Sequence, residues 1–135
     1  LAAGRNLILF PEGTSTAGDY VAPFRSSLFR AAEGHVIQPV SVIYADYDGK
    51  PMSRAQRDRY AWYLPDPNIA VPNTPFLKHF VSALGLKRCT AHIVFHEAFT
   101  MAAGADRKAT SRWCEDQVRD GLETYLVLPD ANGRE

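Results

Sequence analysis

The sequence has few cysteines, no long apolar run and no excess of either charge. Its 135 residues include two cysteines, Cys89 and Cys114, which lack the close spacing of a zinc site or a redox pair. We expect both to be reduced, small apolar core residues of an intracellular protein. No apolar stretch approaches the roughly 18 residues of a membrane-spanning helix. The 15 basic and 15 acidic residues cancel, which argues against a nucleic-acid partner.

The composition is that of an ordinary folded domain, with 46% hydrophobic and 22% charged residues. We predict one domain over residues 1–135. The segment Leu1–Arg5 resembles the end of a helix capped by Gly4, and the sequence does not start with methionine. We therefore expect the N-terminal part of the domain to be missing, which would leave an apolar face uncovered.

Hydrophobic patterning predicts strands and helices in alternation. The predicted strands are Asn6–Phe10, Val36–Tyr44, a short one at Ala61–Leu64, and Thr90–Phe95. The predicted helices are Pro23–Glu33 with Gly34 at its end, Thr74–Leu84, and Ala105–Val127 with Asp106 as N-cap.

This order predicts an α/β fold with a mixed, largely parallel sheet flanked by helices. Asn6–Phe10 is a continuous apolar run, which is typical of a strand buried on both faces. Pro39 lies inside the second predicted strand and indicates a sheet edge, a strand start or a bulge. The proline-rich stretch Ala45–Pro75 is predicted to be mostly irregular.

The first candidate site is the acidic turn, residues Pro11–Thr14, directly after the first predicted strand. It places Glu12, Gly13 and Thr14 at the carboxyl end of that strand, where α/β sheets bind ligands. Glycine lets a ligand approach the backbone closely. The alternative is an ordinary connecting loop with an exposed Glu12, and both interpretations stay open on spacing alone.

A second candidate is the start of the next predicted helix. Arg25, Ser26 and Ser27 would place a cation and two hydroxyls beside unpaired helix amides, an arrangement suited to a phosphate. A surface arginine beside a capped helix explains the same residues.

The remaining polar clusters give weaker signals. Arg54, Arg57 and Arg59 precede Tyr60, Trp62 and Tyr63, and form either a solvated basic turn or a patch for anionic lipid head groups.

The histidines predict neither a catalytic dyad nor a metal site. His92 and Glu97 imitate a His-x4-Asp pair, but an odd separation on one strand turns them to opposite faces. His92 and His96 would lie about 13 Å apart, too far to share a metal. His35 and His79 are isolated in the sequence.

Two blocks carry a family resemblance. Phe10–Ser15 followed by Pro23–Phe29 resembles the third motif block of the glycerolipid acyltransferases, the 1-acylglycerol-3-phosphate acyltransferase family. Val36–Ser41, centred on Pro39-Val40, resembles the fourth block. The insertion Ser15–Asp19 and the run Pro51–Arg54 look most similar to a bacterial branch that includes lysophosphatidate and lyso-ornithine-lipid acyltransferases.

The resemblance implies an acyltransferase reaction. A fatty acyl group would pass from acyl-CoA or acyl carrier protein to a lysolipid hydroxyl, with no bound cofactor or metal. In the family a His-x4-Asp motif supplies the general base, and it precedes the third block. None of the four histidines here is followed by aspartate at that spacing, so the resemblance places the base upstream of this chain. The chain would be the C-terminal part of one acyltransferase domain, inactive alone.

The resemblance also implies roles for individual residues. Glu12, Gly13 and Thr14 match the acceptor-binding Glu-Gly-Thr of the family, and Ser15 stands where the family often has a phosphate-binding arginine. Arg25 matches the basic residue of the later Pro-Phe-Lys/Arg and would restore that charge, unless the head group carries no phosphate, as in an ornithine lipid. Pro39 would shape the pocket.

The implied partners are a lysolipid acceptor, an acyl donor and a membrane surface. The full enzyme would be peripheral, at the cytoplasmic face of a bacterial inner membrane, and an uncovered apolar face would favour homo-oligomers. The alternative function is a non-catalytic α/β module that binds anionic lipid or phosphate.

Overall fold

The structure is a computed structural model, and it describes residues 6–54, 56–57, 77, 80–81, 84–85 and 87–126. The helices whose full bounds the structure describes are a 3₁₀ helix at Ser26–Ala32 and α1 at Arg107–Tyr125. The strands are β1 at Val36–Ile37, β2 at Val40–Tyr47, β3 at Lys50–Pro51, β4 at Cys89–Phe95 and β5 at Phe99–Thr100. The expected α/β class is therefore confirmed in its coarse form.

The sheets are antiparallel, not parallel. β2 lies between β3 and β4 in a three-stranded sheet, and β1 pairs with β5 in a separate two-stranded one. Every strand pair among the described residues is antiparallel. The predicted parallel sheet is thus not present there. The two-residue connection between β2 and β3 permits only an antiparallel pair, and β4 also pairs antiparallel with β2.

The predicted strand Asn6–Phe10 is wrong. Residues 6–10 have no regular secondary structure, and the side chains of Ile8 and Phe10 are 78% and 79% exposed. An apolar run indicates a tendency to be buried but does not specify a pairing partner, and this run has no pairing partner among the described residues.

The first helix differs in length and type from its prediction. It begins at Ser26 rather than Pro23 and is a seven-residue 3₁₀ helix. Gly34 has a φ of +75°, as expected of a residue that ends a helix. A 3₁₀ helix this short gives little support to an anion site built on helix amides alone.

A tight hairpin replaces part of the predicted irregular stretch. Asp48 and Gly49 have φ values of +55° and +82°, and they connect the paired residues Tyr47 and Lys50. An Asp-Gly pair with positive φ at both positions is the type I′ turn that two-residue hairpins prefer. That dipeptide was the signal for the hairpin, and the sequence interpretation missed it.

Three further elements match their predictions at least in part. The predicted single strand Val36–Tyr44 is divided into β1 and β2, which belong to different sheets, and Pro39 immediately precedes β2, so the strand-start interpretation is confirmed. β4 at Cys89–Phe95 matches the predicted Thr90–Phe95. Helix α1 has Asp106 as N-cap, and that carboxylate accepts hydrogen bonds from Lys108 N and Ala109 N at 2.8 and 3.3 Å.

The β2–β4 sheet has one face against α1 and one apolar face open to solvent. On the covered face, Ser41 and Ile43 are each 1% exposed. The open side, which we call the apolar sheet face, consists of cross-strand pairs of exposed side chains: Val40 with Phe95, Val42 with Ile93, and Tyr44 with Ala91. Phe95 and Ile93 are 67% and 58% exposed. Within the described part of the chain, this sheet therefore has an exposed apolar face of the kind that the sequence predicts.

The two cysteines are free, but only Cys114 is a core residue. Cys114 is 2% exposed, and burial raises the pKa of its thiol to about 11. Cys89 is exposed at the start of β4, so its assignment to the core is wrong.

Some predictions concern residues outside the described part of the chain. They are the helix end at Leu1–Arg5, the short strand Ala61–Leu64, and the isolated His79. Most of the predicted helix Thr74–Leu84 also lies outside, although Leu77, Phe80, Val81 and Leu84 are described and helical.

Candidate functional site

The acidic turn folds back on itself and on the segment that precedes the 3₁₀ helix. Gly13 N donates a hydrogen bond to Phe10 O at 3.1 Å. Arg25 N donates to Pro11 O at 2.8 Å, which ties the end of the following loop to the turn. Gly13 has a φ of +66°, a conformation that side-chain-bearing residues rarely adopt. The turn is therefore fixed by backbone geometry and not by a sheet.

Glu12 is half-buried and accepts a backbone hydrogen bond. Its Oε2 accepts from Ala22 N at 2.8 Å, across the loop. Burial raises the pKa of the Glu12 carboxyl, the bond from Ala22 lowers it, and the charge of Glu115 raises it further. A positive charge placed beside Glu12 would therefore stabilise the ionised form of its carboxyl.

Arg25 lies directly against the turn. A Cβ atom placed on Gly13 would lie 2.6 Å from Arg25 Nε and 2.9 Å from its Cζ, so the absence of a side chain at residue 13 makes room for the guanidinium. Arg25 itself is exposed. The structure thus places the guanidinium of Arg25 against Gly13, the residue that follows Glu12 in the turn, while the Glu12 carboxylate is bonded to Ala22 N.

The other predicted site residues are placed less closely together. Thr14 and Ser15 are exposed, and Thr14 Oγ1 donates to Ser15 O at 3.4 Å. Pro39 is buried at the start of β2, where its carbonyl accepts from His96 N at 3.0 Å. No hydrogen bond among the described residues joins Pro39 to the acidic turn.

Sequence reasoning missed two residues of α1 that contact this loop. Phe24 N donates to Glu115 Oε2 at 2.9 Å, and Ser111 Oγ donates to Phe24 O at 3.3 Å. The two contacts span 91 and 87 positions of sequence. No local pattern signals a bond over such a separation.

Arg57 of the basic cluster fits neither interpretation made from sequence. Arg57 is 2% exposed and donates to Tyr44 O at 2.8 Å and Gly18 O at 3.3 Å. Burial lowers the pKa of its guanidinium, and the charge of Asp19 opposes that effect. Arg54 pairs with Asp19. Both arginines therefore hold the loop after the acidic turn, so Arg57 is neither a solvated residue nor a lipid contact, while Arg59 lies outside the described residues.

The histidines also have structural partners. His96 Nε2 lies 2.8 Å from Ser41 Oγ, and that hydroxyl donates to Val118 O at 3.0 Å. The Ser41 hydroxyl therefore lies within hydrogen-bond distance of both the His96 ring and a backbone carbonyl of α1. The ring of His92 packs against Tyr125, with centroids 5.4 Å apart.

The described residues contain neither a metal-binding cluster nor a membrane-spanning helix. No three His, Cys, Asp or Glu side chains there are grouped so as to hold a metal ion. Nor does any helix there have the length and apolarity that crossing a membrane requires.

The two serines of the second candidate site line an open surface pocket of about 280 Å³. The other lining residues are Asp106, Arg107 and Lys108.

The known proteins to which this chain is similar belong to one class, the bacterial acyltransferases of lipid metabolism. More particularly, the chain is similar to proteins named lyso-ornithine lipid O-acyltransferase. It is 30% identical to the one from Brucella abortus over 97% of this chain and 51% of that protein. It is 33% identical to the one from Rhodobacter capsulatus, over 88% and 41%. The Rhizobium meliloti protein is 31% identical over 93% and 44%.

These relatives confirm the resemblance to acyltransferases, including the lyso-ornithine-lipid branch. The chain spans about half the length of the curated relatives it matches. No family model matches the chain, and no solved structure matches it.

Proposed function

We propose that this chain supplies the acceptor-binding part of a lyso-ornithine lipid acyltransferase. The observation that carries the proposal is its similarity to three such enzymes over 88–97% of its length. The acidic turn and Arg25 supply the binding groups, and the reaction serves membrane lipid synthesis.

The charges around the acidic turn suit an ornithine head group. Such a head group carries a carboxylate and an ammonium group. Arg25 offers a guanidinium that matches a carboxylate, and Glu12 offers a carboxylate for the ammonium. The Arg25 guanidinium lies against Gly13, next in sequence to Glu12, which supports one binding region for both charges of the zwitterion. Ser15, in place of the family's arginine, fits an acceptor without phosphate.

The reaction is an acyl transfer from a thioester to a hydroxyl. The lysolipid oxygen attacks the thioester carbonyl, a C–O bond forms, the C–S bond breaks, and the hydroxyl proton passes through a base to the departing thiolate. No His-x4-Asp motif occurs in these 135 residues, so we assign the base to a part of the enzyme outside them. The donor is acyl-CoA or acyl carrier protein, and we place the enzyme at the cytoplasmic face of the inner membrane.

The test is an acyl-transfer assay on the full encoded chain with both donors. We expect transfer to lyso-ornithine lipid in preference to 1-acylglycerol-3-phosphate, and no turnover by residues 1–135 alone. Glu12→Ala and Arg25→Ala should each weaken transfer, whereas Glu123→Ala, on an exposed helix position, should not. Turnover by residues 1–135 alone would contradict the assignment of the base.

Two other results would redirect the proposal. Lipid binding without any transfer would favour the alternative, a non-catalytic anionic-lipid or phosphate-binding module. Unchanged transfer in both the Glu12 and Arg25 variants would show that the acceptor binds elsewhere.

Association of copies through the apolar sheet face stays a prediction, which sedimentation of the purified chain can check.

A further inference from the structure

Two residues on one face of α1 bind the backbone of Phe24, one at its carbonyl oxygen and the other at its N–H. Ser111 and Glu115 are four residues apart, so they lie one turn from each other on the same face. Ser111 Oγ donates to Phe24 O at 3.3 Å, and Phe24 N donates to Glu115 Oε2 at 2.9 Å. We call these two residues the Phe24 clamp. Neither belongs to the residues that the family resemblance singles out.

The clamp is buried and is itself held in place. Ser111 is 3% exposed, and the side chain of Glu115 is 16% exposed. The second oxygen of Glu115 accepts from Arg119 NH2 at 2.5 Å, one turn further along α1. Because Arg119 fixes one oxygen, the other oxygen is aimed at Phe24 N. A hydrogen bond to a carboxylate is stronger than one between neutral groups.

What the clamp holds is the residue directly before Arg25. Arg25 N bonds to Pro11 O at 2.8 Å, and the Arg25 side chain packs on Gly13. A displacement of the Phe24 backbone would therefore move the guanidinium relative to Pro11 and Gly13 of the acidic turn.

We propose that Ser111 and Glu115 are positioning residues that set Arg25 against the acidic turn and thereby determine affinity for the lysolipid acceptor. The inference rests on the proposed function. It assigns no chemistry to either residue, because both act on the acceptor through Phe24 and Arg25. It follows that loss of the clamp should weaken binding of the lysolipid acceptor and leave binding of the acyl donor unchanged.

The experiment measures KM for lyso-ornithine lipid and for the acyl donor separately, in the full encoded chain. Glu115→Ala should raise the acceptor KM about tenfold, since it removes a charge-assisted hydrogen bond. Glu115→Gln should stay within about twofold of the unchanged protein, because the amide oxygen still accepts from Phe24 N. Ser111→Ala should raise the acceptor KM about threefold, as expected for a neutral bond.

Two controls separate positioning from general destabilisation. Glu123→Ala removes an exposed carboxylate from the same helix and should change neither KM. Hydrogen exchange of the Phe24 amide should speed up in Glu115→Ala and stay slow in Glu115→Gln. If Glu115→Ala unfolds, the milder Ser111→Ala decides the question by the same two KM values.

The outcomes distinguish this inference from the function beneath it. If the unchanged protein acylates lyso-ornithine lipid and the clamp variants keep its acceptor KM, the inference is wrong and the function stands. An equal rise in both KM values would also overturn it, since that indicates a global defect. If the unchanged protein transfers no acyl group to the lysolipid, the proposed function itself is wrong.

Discussion

The acidic turn and the helix-backed sheet are held in place by different kinds of interaction. The β2–β4 ladder pairs seven residues on each strand, and its covered face packs on α1 through Ser41, Ile43 and Gly121. The acidic turn has no strand and few buried side chains. Single hydrogen bonds fix it, from Ala22 to Glu12, from Arg25 to Pro11, and from Phe24 to Glu115.

The difference separates a scaffold from a site. When one hydrogen bond of a ladder is lost, the neighbouring bonds still hold the two strands together. When one hydrogen bond at the turn is lost, the charged group that it holds can move. Binding groups are commonly carried on loops that a rigid scaffold positions. We therefore expect changes in the sheet and helix to alter stability, and changes at the turn to alter acceptor affinity.

The largest loss of stability should come from Gly121→Ala. A Cβ on Gly121 would lie 2.5 Å from Ser41 Oγ and 2.9 Å from the His96 ring, so α1 must move off β2 or Ser41 must give up its bond to Val118 O. We expect a loss of about 1–3 kcal/mol in the free energy of unfolding, although alanine favours the helix itself. Urea denaturation measures it.

The same contact gives this prediction its control. In a Ser41→Ala background the steric conflict is smaller, so Gly121→Ala should destabilise the protein less there than in the unchanged chain. Equal losses in the two backgrounds would mean that the Ser41 contact is not the cause.

Next in size is Gly13→Ala, which tests the other region. The φ of +66° should cost about 1–2 kcal/mol in stability, because an L-residue is strained there. The new Cβ would also displace the Arg25 side chain, which is flexible enough to move away. We therefore expect a clear rise in acceptor KM from a protein that remains folded.

Gly34→Ala is the matched control for Gly13→Ala. Gly34 has a φ of +75°, but a Cβ there would meet nothing within 4 Å. It should lower stability by a similar amount and leave acceptor KM unchanged. If both variants raise that KM equally, backbone strain and not the displacement of Arg25 is responsible.

The sequence predicted the scaffold better than the site for a physical reason. β4 and α1 follow from local signals, namely the β-branched run Thr90–Phe95 and the capping carboxylate of Asp106 before a periodic segment. The hairpin at Asp48-Gly49 had such a signal too. The partners of the acidic turn did not, because Ser111 and Glu115 lie about 90 positions away in sequence and bond to backbone atoms, which carry no side-chain pattern.

The residue types at the site were nevertheless recognisable. Glu12, Gly13 and Arg25 were named from their sequence motif, and the structure places the Arg25 side chain against Gly13. The failed prediction of Asn6–Phe10 as a strand shows the limit of that reasoning, because strand formation depends on a partner. The misassigned Arg57 shows another limit, since a buried arginine bonded to two carbonyls has no signature in sequence.

A smaller effect is expected at the start of α1. Asp106→Ala removes the acceptor for Lys108 N and Ala109 N and should lower Tm by a few degrees, while Asp106→Asn should recover most of the loss. Those two backbone bonds hold the pKa of Asp106 below its usual range. The stabilisation is therefore present above the ordinary aspartate pKa and is lost as pH falls through the lowered one. An unchanged Tm in Asp106→Ala at pH 7 would contradict the capping role.

The smallest effect should have the opposite sign and lie at the acidic turn. Burial raises the pKa of Glu12, so the folded state binds the proton more tightly than the unfolded chain does. Its contribution to stability is therefore present below the unfolded glutamate pKa and falls as pH rises through the raised folded value. Glu12→Gln keeps an acceptor for Ala22 N but removes the charge, so the variant should be slightly more stable than the unchanged chain at neutral pH and equal to it in acid. Thermal unfolding of both proteins across this pH range is the measurement. A Glu12→Gln variant that is less stable at neutral pH would mean that the ionised carboxylate stabilises the turn. The charged carboxylate, a binding group for a cation, would then not lower the stability of the fold.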